Sequence, residues 1–114
     1  MNRTIFLLAL GLVCGAAGAT EAANDDSGLS FDDKLAACAA CHGENGAKPI
    51  LPEYPILAGQ YPDYLASALK AYRDGRRQNP IMSMQIEALQ LSDADIEQLA
   101  THFAGNPGVH PLAD

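Results

Sequence analysis

A histidine directly follows two cysteines that stand three positions apart, in the segment Cys38-Ala39-Ala40-Cys41-His42. On a helix, this spacing puts the two thiols one turn apart on the same side. Cysteines at this spacing serve four kinds of site: a thioredoxin-like redox pair, a zinc site, a structural disulfide, and the attachment site of a c-type haem. The rest of the sequence separates these four.

Three of the four are disfavoured. A thioredoxin-like pair needs a βαβ context, and no strand pattern precedes this segment. A zinc site needs two further ligands, for which only His102 and His110 remain. A structural disulfide would leave His42 without a role. We therefore predict one covalently attached haem c, bonded to Cys38 and Cys41, with its iron held by His42.

The first nineteen residues predict a cleaved secretory signal peptide. Arg3 precedes the short apolar run 5–13, and the small residues Ala17-Gly18-Ala19 follow it. Spanning a bilayer takes about 20 apolar residues, so a retained membrane anchor is the less favoured alternative. Cys14 lies within this segment and would be discarded with it. Haem c attachment needs an exported, initially reduced chain, so the cysteine motif and the signal peptide both predict a periplasmic protein.

The charge of the chain restricts its partners. Seven basic and fourteen acidic residues give a net charge of −7, and loss of residues 1–19 makes it −8. We expect no nucleic-acid binding and no stable membrane insertion after cleavage. We expect instead a donor and an acceptor redox protein with basic docking patches, and a monomer or weak dimer.

The remaining chain is long enough for one small domain. We predict a flexible polar leader over 20–28, a domain over 29–105 and a C-terminal tail over 106–114. A domain of about 90 residues without tryptophan has a thin core. Something besides side chains is therefore expected to supplement that core.

The apolar periodicity and the capping residues predict an all-α domain with three main helices. They begin at Ser30, Pro62 and Ser92, and end at Cys41, before Gly75 and before Gly105. The long segments 43–61 and 75–91 between them are predicted to be loops. Loops of this length in so small a domain are expected to form the walls of a pocket.

The second axial ligand of the iron has four candidates, which are Met82, Met84, His102 and His110. His102 lies within the last helix and His110 in the tail. Both methionines follow Pro80, about forty residues after His42, where the chain can return over the other haem face. Position therefore favours a methionine without choosing between the two.

Residues 29–104 resemble class I cytochromes c, most closely the single-domain bacterial c553/c4-like group. The resemblance is carried by Cys38-Ala39-Ala40-Cys41-His42-Gly43, Pro55-Ile56-Leu57-Ala58-Gly59-Gln60-Tyr61, Tyr72-Arg73-Asp74-Gly75-Arg76-Arg77 and Leu91-Ser92-Asp93-Ala94-Asp95-Ile96. It implies the small class I cytochrome c fold, with long loops around one haem. In that group the axial methionine lies four positions before a small residue, which lies three before the Leu-Ser-Asp segment. Met84, Ala88 and Leu91 fit this pattern, so the resemblance implies Met84 as the distal ligand.

The same resemblance implies supporting contacts around the haem. The carbonyl of Pro55 is expected to accept a hydrogen bond from the second ring nitrogen of His42. Arg77 or Gln60 is expected near a haem propionate. His102 departs from the group, which usually has an aromatic residue packing between the first and last helices at this position.

Together these features predict a non-enzymatic carrier that transfers single electrons by an outer-sphere mechanism. The expected apolar shell of the haem consists of Leu57, Leu65, Leu69, Ile81, Ile86, Leu99 and Phe103. The alternative is the haem-bearing subunit of a larger dehydrogenase, such as a flavocytochrome c sulfide dehydrogenase. A haem enzyme such as a peroxidase is disfavoured because it needs an open iron position.

Overall fold

Four helices make up the regular structure of residues 27–108, the part of the chain that the computed structural model describes. They are α1 (Phe31–His42), α2 (Pro62–Arg73), α3 (Pro80–Leu89) and α4 (Asp93–Ala104). No strand occurs in these residues, which confirms the all-α class. The predicted signal peptide, most of the leader, and the tail from residue 109 lie outside the described residues. The domain boundaries therefore stay predictions.

Capping boxes begin α1 and α4, as their sequences predict. The Ser30 hydroxyl accepts the Asp33 N–H at 3.1 Å, and the Asp33 carboxylate accepts the Ser30 N–H at 3.0 Å. Ser92 and Asp95 form the same pair at 3.1 and 3.0 Å. Each box satisfies two backbone donors and puts an acidic group at the positive end of the helix dipole. The predicted starts of both helices are confirmed.

The prediction of an irregular loop over 75–91 is wrong, because this segment contains α3. Asn79 caps the helix, since its side-chain oxygen accepts the N–H groups of Ile81 and Met82, both at 3.0 Å. Pro80 occupies the first helical position, where its fixed φ and missing N–H carry no cost. Both methionine candidates are therefore held on a helix.

One hydrophobic core lies between α2, α3 and α4. Its buried members are Leu65, Ala66, Ile86, Leu89, Leu91, Ile96, Leu99, Ala100 and Phe103. Within α1, by contrast, the buried residues are Lys34 and His42, and its apolar side chains are only half-buried against this core. The helix that carries the cysteines is thus the one least embedded in apolar packing.

The expected haem shell agrees with this core except at one position. Leu65, Ile86, Leu99 and Phe103 are buried, and Leu57 and Leu69 are half-buried against the core. Ile81 is 42% exposed and lies outside this core, so its place in the haem shell stays a prediction. It lies in the first turn of α3, one position before Met82.

The cap of α3 gives a first test of this fold. Replacing Asn79 by Ala removes the acceptor of two backbone N–H groups, so we expect the free energy of unfolding to fall by about 1 kcal/mol. Urea denaturation followed by circular dichroism measures this change. Gln78→Ala, at the exposed preceding position, is the control and should leave stability within about 0.5 kcal/mol. Equal stability of both variants would contradict the capping assignment.

Candidate functional site

The last turn of α1 brings both cysteines and the histidine of the motif to one region. Cys38 and Cys41 are half-buried free thiols, and His42 is buried. No group of three or more His, Cys, Asp or Glu side chains in the described residues could hold a metal ion on its own. The zinc reading of the motif therefore has no support from the geometry.

The thiol of Cys38 is held in its neutral form. Its burial, together with the neighbouring Cys41, raises its pKa to about 11. Thiol–disulfide exchange requires the thiolate, which is scarce near neutral pH at such a pKa. Cys38 is therefore a poor attacking group in thiol–disulfide exchange, so the geometry gives no support to a thioredoxin-like pair.

The imidazole of His42 is oriented by the backbone of the following loop. Its Nδ1 lies 2.9 Å from the carbonyl oxygen of Pro55. A carbonyl can only accept, so Nδ1 carries the proton and donates it. This tautomer leaves a lone pair on Nε2, the form in which imidazole binds a metal. The bond implied by the family resemblance is confirmed.

Two apolar cavities adjoin the motif, with volumes of about 190 and 200 Å³. Voids of this size are far larger than those found between the side chains of a well-packed interior. Both cavities are lined by Cys38, His42, Pro55, Tyr72 and Met82. One also takes its walls from α2 and α4, and the other from α3. A hollow with thiols and an imidazole at its edge suits a large apolar ring system bonded to all three.

The two methionines of α3 lie in different environments. Met82 is half-buried and lines both cavities together with His42. Met84 is 59% exposed and lines neither cavity. The structure therefore brings Met82, and not Met84, to the predicted site residues.

Two polar side chains extend into the cavity that borders α2. Arg77 and Gln60 are among its lining residues, and the Arg77 guanidinium stacks 5.0 Å from the centre of the Tyr72 ring. A cation held over an aromatic face is fixed in position while its N–H groups remain available. The role of either residue as a propionate partner stays a prediction.

The remaining ligand candidates are not at this site. His102 lines neither cavity beside the motif, and its ring packs edge-on against Phe103 at 5.0 Å between centroids. Its Nε2 is buried without a hydrogen-bond partner. His110 lies outside the described residues.

The loop after α1 returns to the motif through a sharp turn at Gly43. This residue has φ of +91°, and its N–H donates to the Ala39 carbonyl at 2.8 Å. Further along the loop, Ile50 donates its N–H to the Cys41 carbonyl at 3.0 Å. The turn thus directs the chain back along α1 towards Pro55.

Comparison with known proteins agrees with this geometry. Residues 30–104 match the family model described as cytochrome c. Cytochrome c-554(548) of Halomonas halodenitrificans is 42% identical over 74 residues, covering 64% of this chain and 88% of the relative. Cytochrome c4 of Pseudomonas aeruginosa is 35% identical over 114 residues, all of this chain and 53% of the relative. A thiosulfate dehydrogenase electron acceptor of Thiomonas intermedia is 36% identical over 104 residues, which cover 91% of this chain and 44% of the relative. The chain spans about half the length of these last two relatives.

Two glycines with positive φ test how the loop holds the site. A Cβ at Gly43 would lie 2.6 Å from the Lys48 carbonyl oxygen, whereas nothing lies within 4 Å of one at Gly75, where φ is +76°. We expect Gly75→Ala to cost about 1 kcal/mol from backbone strain alone. Gly43→Ala should cost at least about 2 kcal/mol, because the Lys48 backbone must also shift. Urea denaturation compares the two, and equal losses would show that the turn is free to relax.

Proposed function

Because the chain belongs to the cytochrome c family, as a class I c-type cytochrome that binds covalently attached haem c, we propose that it is a periplasmic carrier of single electrons with one haem. The observation that carries the proposal is the pair of cavities at Cys38 and His42. Cysteine thiols, an imidazole with an available Nε2 and apolar walls meet there. This is the donor set and the surrounding that a covalently bound haem requires.

The haem supplies the iron redox couple, and the chain supplies position and surroundings. Cys38 and Cys41 would form the two covalent attachments, and His42 would be the proximal ligand. The Pro55 carbonyl holds the imidazole in one orientation and increases its basicity. Apolar walls from α2 and α4 limit access of water, which favours the less charged, reduced state.

The cavity lining and the family register point to different methionines as the distal ligand. The register predicts Met84, whereas Met82 is the methionine that lines both cavities with His42. We propose Met82 as the ligand because it lines both cavities together with His42, whereas Met84 lines neither. If His42 and a methionine both held the iron, no position would remain open for a substrate, which supports a carrier and not an enzyme.

Surface charge and the rims of the cavities support transient docking to redox partners. The net charge of −7 would steer the protein towards basic patches, with a strong dependence on ionic strength. Ile56 and Ile81, at 44% and 42% exposure, extend from the two cavities to the surface. Weak electron-transfer encounters bury little surface, so two exposed apolar side chains at these rims suit transient docking.

A second candidate is the haem-bearing subunit of a larger dehydrogenase. It is compatible with the relatives named as electron acceptors of thiosulfate dehydrogenase, from Thiomonas intermedia and Stutzerimonas stutzeri. Their names associate close relatives with a dehydrogenase, although as electron acceptors and not as subunits.

No helix in the described part of the chain is long and apolar enough to cross a membrane.

The proposed function is tested by producing the chain in bacteria that can attach haem c. We expect a periplasmic protein with the absorption spectrum of a c-type cytochrome, a mass increased by one haem, and elution as a monomer or weak dimer. The matched control Cys38→Ser/Cys41→Ser should lose the covalent haem. A colourless protein of unmodified mass would contradict the proposal. Stoichiometric elution with a flavoprotein from the native host would favour the subunit reading.

The distal ligand is tested by replacing each methionine with leucine, which has a similar volume. Met82→Leu should abolish the Met-to-iron charge-transfer band of the oxidised protein and lower the reduction potential, since thioether ligation raises it. Met84→Leu is the matched control on the same helix and should leave the charge-transfer band and the reduction potential unchanged. The reverse result would assign the ligand to Met84, as the family register predicts.

A further inference from the structure

Two polar side chains, and no fully buried apolar one, anchor α1 to the rest of the domain. The buried residues of α1 are Lys34 and His42, whereas α2 and α3 bury only apolar residues. The apolar side chains of α1 that reach the core, Phe31 and Leu35 among them, are half-buried. Apolar contact is non-directional, so it restricts the rotation and sliding of such a helix only weakly.

The first anchor joins α1 to the beginning of α4. The Lys34 side chain is 0% exposed, and its Nζ lies 2.8 Å from Oδ2 of Asp95. The same oxygen accepts the Ser92 N–H at 3.0 Å within the capping box. Burial raises the pKa of Asp95, but the hydrogen bonds from Lys34 and Ser92 outweigh it and lower the pKa overall. Asp95 is therefore ionised at neutral pH and faces a buried cation.

The second anchor is the bond from His42 to the Pro55 carbonyl at the other end of α1. Lys34, Cys38 and His42 follow each other at four-residue intervals, so they share one stripe of the helix. The two anchors are about 12 Å apart along the axis at a rise of about 1.5 Å per residue. Two directional contacts at this separation define both the rotation and the axial position of the helix.

We propose that the buried Lys34–Asp95 pair is a positioning contact that sets the register of α1 on α4, and thereby presents Cys38, Cys41 and His42 to the cavities. Lys34 acts here through the helix and touches none of the reacting groups. The consequence for the haem rests on the proposed function, whereas the register of α1 does not depend on it.

Burial distinguishes this pair from a second one of equal length. Lys70 of α2 and Glu97 of α4 are also 2.8 Å apart, but their side chains are 34% and 60% exposed. Exposed pairs contribute little to stability. Removing one partner of a buried pair leaves a buried charge and is strongly destabilising, whereas replacing both partners is often nearly neutral. A buried pair can therefore specify an arrangement without adding net stability.

The experiment compares four variants of the haem-bearing full chain. They are Lys34→Met, Asp95→Asn, the double variant of both, and the control double variant Lys70→Met/Glu97→Gln. Asn at position 95 retains an oxygen that can accept the Ser92 N–H. Urea denaturation gives stability. Hydrogen exchange of the α1 amides and the haem-methyl NMR shifts of the oxidised protein, which depend on axial-ligand orientation, give position.

We expect Lys34→Met to raise the unfolding equilibrium constant by about 100-fold or more, and the double variant at 34 and 95 to recover most of this. The contact between Lys34 and Asp95 is absent from the single variant Lys34→Met and from the double variant. In each of these two variants, the α1 amides should exchange faster than in wild type and the haem-methyl shifts should differ from wild type. The control should change the unfolding constant by no more than about threefold and leave both positional readouts unchanged.

The positional readouts of the double variant test the proposal even where a single variant does not fold, since the double variant removes the buried cation and the buried carboxylate together. Wild-type exchange and wild-type haem-methyl shifts in that variant would overturn the proposal, because the pair would then serve stability alone. Should the chain carry no haem, the proposed function fails on the spectrum. The exchange of the α1 amides would still test the register of the helix.

Discussion

Apolar side chains of α2, α3, α4 and the loop after α1 turn towards a hollow beside Cys38 and His42, and the fold is arranged around this lining. A domain of this size buries at most about two-thirds of the surface that its unfolded chain exposes. Leu57, Leu69 and Phe103 pack in the core, and part of their apolar surface also faces the cavity that borders α2 and α4. Haem c, which this family attaches covalently, offers the matching apolar surface. Its binding is therefore coupled to the stability of the folded domain.

The chain positions the haem-bearing helix by means that differ from those used for the other three. α2, α3 and α4 are fixed by interlocking apolar side chains, of which Ile96 and Leu99 are almost completely buried. α1 has directional polar contacts at each end instead. This division suits a helix whose apolar neighbour is to be a cofactor, because polar anchors can hold it in place while part of its surface faces the cavities. The turn at Gly43 completes the arrangement by returning the backbone to His42.

The sequence predicted most of the fold through signals that act locally. The capping boxes at Ser30 and Ser92 involve residues three apart, and their physics needs no tertiary context. α3 lies in a segment that the prolines and glycines predict to be a loop, although Asn79-Pro80 is typical of a helix start. Its end carries no glycine, since Gln90 itself adopts the left-handed conformation with φ of 46°. The Lys34–Asp95 pair could not be predicted, because it joins residues 61 positions apart whose separate sequences indicate only exposed charges.

The different environments of Met82 and Met84 follow from the geometry of α3. Residues two positions apart on an α-helix are separated by about 200° around its axis, so the two methionines lie on nearly opposite faces. The buried residues Ile86 and Leu89 lie four and seven positions after Met82, which puts Met82 on the face that meets the core. The family register counted back from Leu91 predicts Met84 instead, so the helical periodicity and the register make opposite predictions. Counted forward from the cap at Asn79, the helix itself turns Met82 towards the cavities and Met84 towards solvent.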